Sequence, residues 1–449
     1  MRKWRARSRK WERRWRQQLS RTRWNEGFRL AEGTNRARAW LLATAILGIA
    51  ACVSLSSPRG GGGVGNVPVV RGTFKGGAQQ QVRIALETAA KTGTISGTGN
   101  WGLVHGDVGQ KIGAMTELPL SFDAPRLGEI TTEMGPVTAE TDSFLIWNGK
   151  KYRGTITFIR TDSGFLVVNN LPMDSYLRGV VPLEIGNRTP AEFAAVQAQA
   201  VAARTYAYKH LTSSRAFDMY ATVQDQVYGG VDAEKPQSDS AITTTADVVV
   251  LYNGQPITTP YHSTCGGSTA GVSEVWYDQP DQPYLRPVSD RIPGTNNFYC
   301  DPSPRFSWTQ SYDAAGLRAV IEKYLGSYTK APKNGVGKIT DIREQGRTPS
   351  GRIAALTVQT ETGSYTLRGN DIRFVLRDPK GAILNSTFFS FTKETNGGEV
   401  SSFTVSGRGY GHGIGMCQWG AIGRARAGQN YRTILETYYP GTTIGRIAG

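Results

Sequence analysis

Glu184 stands between Leu183 and Ile185, just after Val180 and Val181, a lone carboxyl in an apolar run. Apolar surroundings strip hydration from a carboxylate, and burial can raise its pKa by several units. A carboxyl held protonated near neutral pH can give a proton to a leaving oxygen and take one back, which is general acid and base chemistry. The competing reading is a Glu that merely caps the helix after it, and spacing alone favours that plainer role.

Other chemistry-bearing residues are sparse. His262 and Cys265 in Tyr261-His262-Ser263-Thr264-Cys265 have a spacing that suits zinc, and Cys300 or His412 would complete a tetrahedral set. An H-x-x-C spacing by itself is weak evidence for a metal. No nucleophile-elbow motif occurs, and the chain has only 4 His, so Ser or Cys nucleophilic chemistry lacks support. Two G-x-G-x-x-G matches, at Gly60–Gly65 and Gly97–Gly102, do not join a strand to a helix and are discounted as dinucleotide sites.

The elements that must hold Glu184 are well signalled. Met173–Val181 reads as a short helix with Pro172 at its start, Asp174 in its first turn and Pro182 ending it. Thr189, Pro190 and Glu192 then make a capping box for a second, longer helix. Eight alanines between Pro190 and Leu211 keep that helix thin on every side, so it is expected in the core. This reading puts Glu184 in the link between the helices, near the positive N-terminal end of the second. There the dipole lowers its pKa while burial raises it.

Charge and hydropathy divide the rest of the chain. Of 52 basic and 36 acidic residues, 14 and 3 fall in residues 1–38, which leaves 38 against 33 and a nearly balanced remainder. Ala39–Leu55 carries no charge over 17 residues, at the short end of what spans a bilayer as a helix. The basic arm before it predicts a cytoplasmic N-terminus and an outward-facing remainder. A cleaved signal is disfavoured by the long arm, as is lipidation of Cys52 in Ile49-Ala50-Ala51-Cys52. The arm, with Trp4, Trp11, Trp15 and Trp24 interleaved, suits lipid headgroups and topology better than RNA, and no nucleic-acid partner is expected. In an outward-facing compartment, a Cys265–Cys300 disulfide is preferred to zinc, which leaves Cys417 over.

After a Gly-rich linker at 56–67 come short apolar runs separated by Gly, a small β-rich region over 68–160. Residues 161–449 mix helices and strands, with a β-rich segment at about 339–400. The expected class is α+β, with mostly antiparallel strands.

Five blocks in order resemble the SpoIID/LytB family, the group of stage II sporulation protein D and the amidase enhancers. They are LPMDSYLRGVVPLEI, AVQAQAVAARTYAY, DQVYGG, YHSTCGGSTA and GRGYGHGIGMCQWGAIGRARAG, and they cover Leu171 to the C-terminus. The resemblance implies a SpoIID-like core and a membrane-anchored protein acting on peptidoglycan in the periplasm or cell wall space. It implies a lytic transglycosylase that cleaves the bond between N-acetylmuramic acid and N-acetylglucosamine of denuded strands, with Glu184 as the catalytic residue. The alternative it carries is a non-cutting enhancer of a cell-wall amidase. Some family members bind zinc near the active site; no other cofactor is expected.

In such a carbohydrate site, backbone at Gly411, flanked by further glycines, together with His412 and Gln418, could supply hydrogen bonds, and Trp419 a stacking face. Arg204, Tyr228, His262 and Ser263 complete the expected substrate-binding set. A transglycosylase needs one carboxyl, whereas hydrolysis would call on Asp174 or Asp225 as a second.

Overall fold

A computed structural model describes residues 69–70, 80–332, 335–378 and 380–447. The basic arm, the apolar span, the Gly-rich linker and Cys52 lie outside these residues. Among the described residues no helix is long and apolar enough to cross a membrane.

The class is α+β. Its largest sheet has seven strands in the order Met219–Tyr220, Gln81–Ala90, Gly164–Pro172, Thr155–Thr161, Val137–Thr141, Trp101–His105 and Val108–Ile112. All neighbours are antiparallel except Met219–Tyr220, which runs parallel to Gln81–Ala90. Alternate residues bury one face: Val82, Ile84, Ile156 and Phe158 are inaccessible or nearly so. The boundary expected between 160 and 161 is not a domain boundary. Thr155–Thr161 and Gly164–Pro172 form one hairpin, Phe158 facing Val167, and the whole stretch from Pro68 belongs to one compact unit. A β-rich stretch whose apolar face lacks its own cover must bury it on the helices that follow.

Those helices are Met173–Ile185 and Phe193–His210. The capping box forms ahead of the second, where Glu192 Oε2 accepts the Thr189 N–H at 2.8 Å. The alanine-rich helix is buried on all sides, Ala195, Ala198, Ala200, Ala202 and Ala203 having no exposed area. It packs against Met173–Ile185, Pro236–Thr244, Gln418–Arg426, Tyr431–Tyr438 and the strand Val248–Tyr252. A side chain of one carbon allows that many neighbours to approach one helix.

Pro182 does not end the first helix; it lies inside it, and the helix continues to Ile185. A proline near a helix end forfeits only one backbone hydrogen bond. The stop is Gly186, at φ 72° and ψ −177°, whose N–H returns to Pro182 O at 3.0 Å. That conformation is essentially confined to glycine.

The β-rich segment has its own apolar core. Ile339–Glu344, Ala355–Thr360 and Gly363–Arg368 form one antiparallel sheet; Ser307–Asp313, Glu399–Arg408 and Phe389–Asn396 form another. Between them Ile342, Leu356, Val358, Phe403 and Val405 are fully buried. The chain returns to the main core through Gly409–Gly415 into a two-stranded parallel ladder, Tyr261 opposite Met416 and His262 opposite Cys417.

Candidate active site

Because the first helix extends past Pro182, Glu184 sits in its last turn rather than in a link. The end of a helix carries partial negative charge, so the dipole there raises a carboxyl's proton affinity instead of lowering it. The side chain is half-buried, next to Leu183, which is 48% exposed. Burial pushes the Glu184 carboxyl above the usual carboxylate range. Hydrogen bonds from the Val227 N–H, the Tyr261 hydroxyl and the Gln418 side chain favour the anion and only partly offset that rise. The Val227 contact to Oε1 is 3.3 Å. All three donors are neutral, and no arginine or lysine is among the groups that set this carboxyl's charge.

The donors are themselves held in place. Tyr176 OH donates to Gln226 Oε1 at 3.0 Å, and Gln226 Nε2 donates to Tyr261 OH at 3.0 Å, which leaves the Tyr261 proton for Glu184. Gln418 Nε2 donates to Gln199 Oε1 on the alanine-rich helix at 3.2 Å. The Glu184 side chain is thus gripped by donors from three separated stretches of chain, two of them braced in turn by Gln226 and Gln199. Such a network fixes the geometry of a proton donor without neutralising it.

The expected substrate-binding residues divide. Gln418 is at the site. Ser263 is half-buried, its carbonyl accepting the Trp419 N–H at 3.0 Å and its hydroxyl 3.3 Å from that of Thr264. Gly411, at φ 120°, packs against His262, where an added Cβ would come within 2.8 Å of the imidazole-bearing carbon. Trp419 is half-buried with the Arg188 guanidinium 5.2 Å from its ring centre, so one face is covered.

Four assignments require correction. Arg204 is 1% exposed and donates to the carbonyls of Thr245, Ile242 and Val248, besides meeting Asp174 at 3.4 Å; it braces the core and reaches no ligand. Tyr228 is a core ring, its hydroxyl on Asn169 Oδ1 at 2.9 Å and its face against Tyr176. His262 is buried with Nδ1 3.2 Å from Ile414 O. His412 spends both nitrogens on backbone: Ile414 N–H donates to Nδ1 at 3.1 Å, so Nε2–H donates to Tyr261 O at 2.9 Å. Burial, assisted by Arg373, lowers His412 to about 4, and a neutral ring suits both contacts. Its service to the site is indirect, through the backbone of Tyr261.

The cysteine pairing also differs. Cys265 and Cys300 face each other with sulfurs 3.5 Å apart, beyond the about 2.05 Å of a disulfide. Both are thiols, as is Cys417. The zinc set proposed around His262 and His412 does not assemble, because neither imidazole joins these sulfurs.

The chain belongs to the SpoIID/LytB family. The family model described as stage II sporulation protein matches residues 161–252, and a domain of unknown function matches 292–415. Stage II sporulation protein D of Bacillus subtilis is 30% identical over 62% of this chain and 75% of its own length. An uncharacterized protein of Brachyspira hyodysenteriae is 32% identical over 74% of this chain and 84% of its own. The amidase enhancer of Bacillus subtilis is 33% identical over 69% of this chain, which spans 46% of that longer relative. The matched residues 161–252 contain Glu184, Gln199, Gln226 and Val227.

Motif reading missed Tyr261, Gln226 and Tyr176, although each lies inside a block it used. In a strand, adjacent side chains point to opposite faces. With Tyr261 and His262 adjacent on one strand, only one could face Glu184, and the choice depended on a pairing that the sequence does not display.

Proposed function

We propose that this protein is a lytic transglycosylase of peptidoglycan glycan strands in which Glu184 is both acid and base. The observation that carries the reading is a carboxyl on a half-buried side chain, raised by burial and held only by neutral donors. As acid it protonates the oxygen leaving C1 of N-acetylmuramic acid, and the C1–O bond breaks. As base the resulting carboxylate takes the proton of the sugar's own C6 hydroxyl while O6 bonds to C1. The product ends in a 1,6-anhydro ring, Glu184 regains its proton, and no water is consumed.

The two carboxyls that could have served hydrolysis are committed elsewhere, which supports a single-carboxyl mechanism. Asp174 meets Arg204, and Asp225 accepts from Tyr206 OH at 3.0 Å and Tyr220 N at 2.9 Å. Hydrolytic glycosidases instead set two carboxyls on either side of the scissile bond. The charge pattern of residues 1–55 supports a single-pass anchor, with the catalytic region outside the cytosol.

The test is digestion of denuded glycan strands by the purified protein beside Glu184→Gln, with mass spectrometry of the products. Anhydro ends that vanish in the variant support the proposal. The relative named amidase enhancer makes the other outcome definite: intact strands, with a cell-wall amidase stimulated equally by both proteins, would overturn it.

A further inference from the structure

On the other side of the Tyr261–His262 ladder from Glu184 lies a cluster that the proposed reaction does not use. The ligand atoms of Cys265, Asp290, Cys300 and Cys417 all lie within 4.8 Å of one another, and all four residues are buried. We propose that these four side chains form a closed tetrahedral site for a structural zinc ion.

The spacing suits zinc better than a disulfide. Zn–S bonds of about 2.3 Å in a tetrahedron place sulfurs about 3.8 Å apart. The Cys265 and Cys300 sulfurs are 3.5 Å apart, and Asp290 Oδ2 is 3.6 Å from the Cys265 sulfur. A disulfide between any two of these cysteines would leave the third thiol and the carboxylate enclosed with no function between them.

The surroundings are arranged as metal ligands require. Cys417 Sγ accepts the N–H groups of Cys265 at 3.1 Å and Gly420 at 3.2 Å, contacts that favour a thiolate. Asp290 Oδ1 is held by Tyr438 OH at 2.7 Å and Arg424 at 3.2 Å, which leaves Oδ2 turned to the sulfurs. Outer partners of this kind orient ligands and set their basicity. Charge closes as well: one Zn²⁺ with three thiolates and a carboxylate carries two negative charges, and two buried arginines flank it. Arg424 meets Asp290. Arg352, 1% exposed, sends its terminal nitrogens to Ser268 O, Ser350 Oγ and Cys265 O rather than to a carboxylate, and its Nε has no partner.

The ion would matter to the neighbouring site through connectivity. Cys417 pairs with His262 in the ladder and directly precedes Gln418, while Tyr261 is the preceding residue on the partner strand. Zinc would pin the two strands that deliver both side-chain donors to Glu184.

The experiment uses the full chain, purified without chelator or added metal. Elemental analysis is expected to find about one zinc per chain. After exchange, Co²⁺ should give sulfur-to-cobalt charge transfer and the visible bands of a tetrahedral ion. Cys300→Ser and Cys417→Ser should each weaken binding by more than about 100-fold. The cobalt spectrum of the unaltered chain stands even if a variant fails to fold. A metal-free protein carrying a Cys265–Cys300 disulfide and a free Cys417, identified by peptide mapping, overturns the proposal. So does a fully reduced chain that takes up neither Zn²⁺ nor Co²⁺. None of these readouts depends on glycan cleavage.

Discussion

Glu184 and Asp290 are both carboxyls raised by burial, and they lie on opposite sides of one parallel strand pair. Their neighbours differ in kind. Asp290 is wholly enclosed and shares its oxygens with the Arg424 guanidinium, the Tyr438 hydroxyl and a thiol. Glu184 is half-buried and meets only an amide, a phenol and a carboxamide. A carboxyl beside a guanidinium has an opposite charge that counters burial, whereas one among neutral donors has none. Similar burial thus meets a buried counter-charge in one place and only neutral donors in the other.

The contrast breaks most sharply at Glu184 itself. Glu184→Gln should lower glycan cleavage by about 100- to 10,000-fold, the usual worth of a general acid. Its thermal midpoint near neutral pH should not fall, which calorimetry checks. A variant that unfolds, or one that cuts normally, ends the proposed division of roles.

Equivalent deletions of a hydroxyl on the two sides sharpen it. Tyr438→Phe removes the 2.7 Å hydrogen bond to Asp290 and should cost about 1.5–3 kcal/mol in denaturant unfolding, with cleavage per folded molecule unchanged. Tyr261→Phe should leave stability nearly as it is but slow cleavage by about tenfold, equivalent to about 1.4 kcal/mol. The lost donor favoured the Glu184 anion, so the carboxyl of this variant should hold its proton to higher pH. The alkaline limb of the pH–activity profile should move upward, a shift that a merely structural role for Tyr261 would not produce.

The smallest effect concerns stability against pH. The folded pKa of Glu184 lies above its unfolded value, so the folded chain binds more protons between the two. Its contribution is fully present below the unfolded value of about 4.3 and is lost as pH rises through the folded value. Glu184→Gln carries no such term. The wild-type chain should therefore lose stability relative to the variant across that window, measured by urea unfolding at a series of pH values.

Much of the scaffold was legible in order and type. Thr189-Pro190-Ala191-Glu192 announced the start of the long helix, and eight alanines announced its burial, because capping and side-chain volume are local properties. The end of the preceding helix was misjudged. Pro182 read as a terminator, yet one absent N–H near a helix end is tolerated, and the left-handed Gly186 made the stop. That four-residue difference reversed the helix dipole's effect on Glu184.

The sequence by itself determined that a single carboxyl lies in an apolar run, that a thin helix follows it, and that two of five ordered blocks bring histidine, cysteine and glycine close together. Composition and short-range spacing are sufficient for statements of that kind. The tertiary structure decided which of two adjacent residues, Tyr261 or His262, reaches Glu184, that Arg204 and Tyr228 serve the core, and that three cysteines and Asp290 converge. Such outcomes depend on strand pairing and on contacts between residues more than a hundred positions apart, such as Cys265 with Cys417, and local sequence carries no record of that geometry.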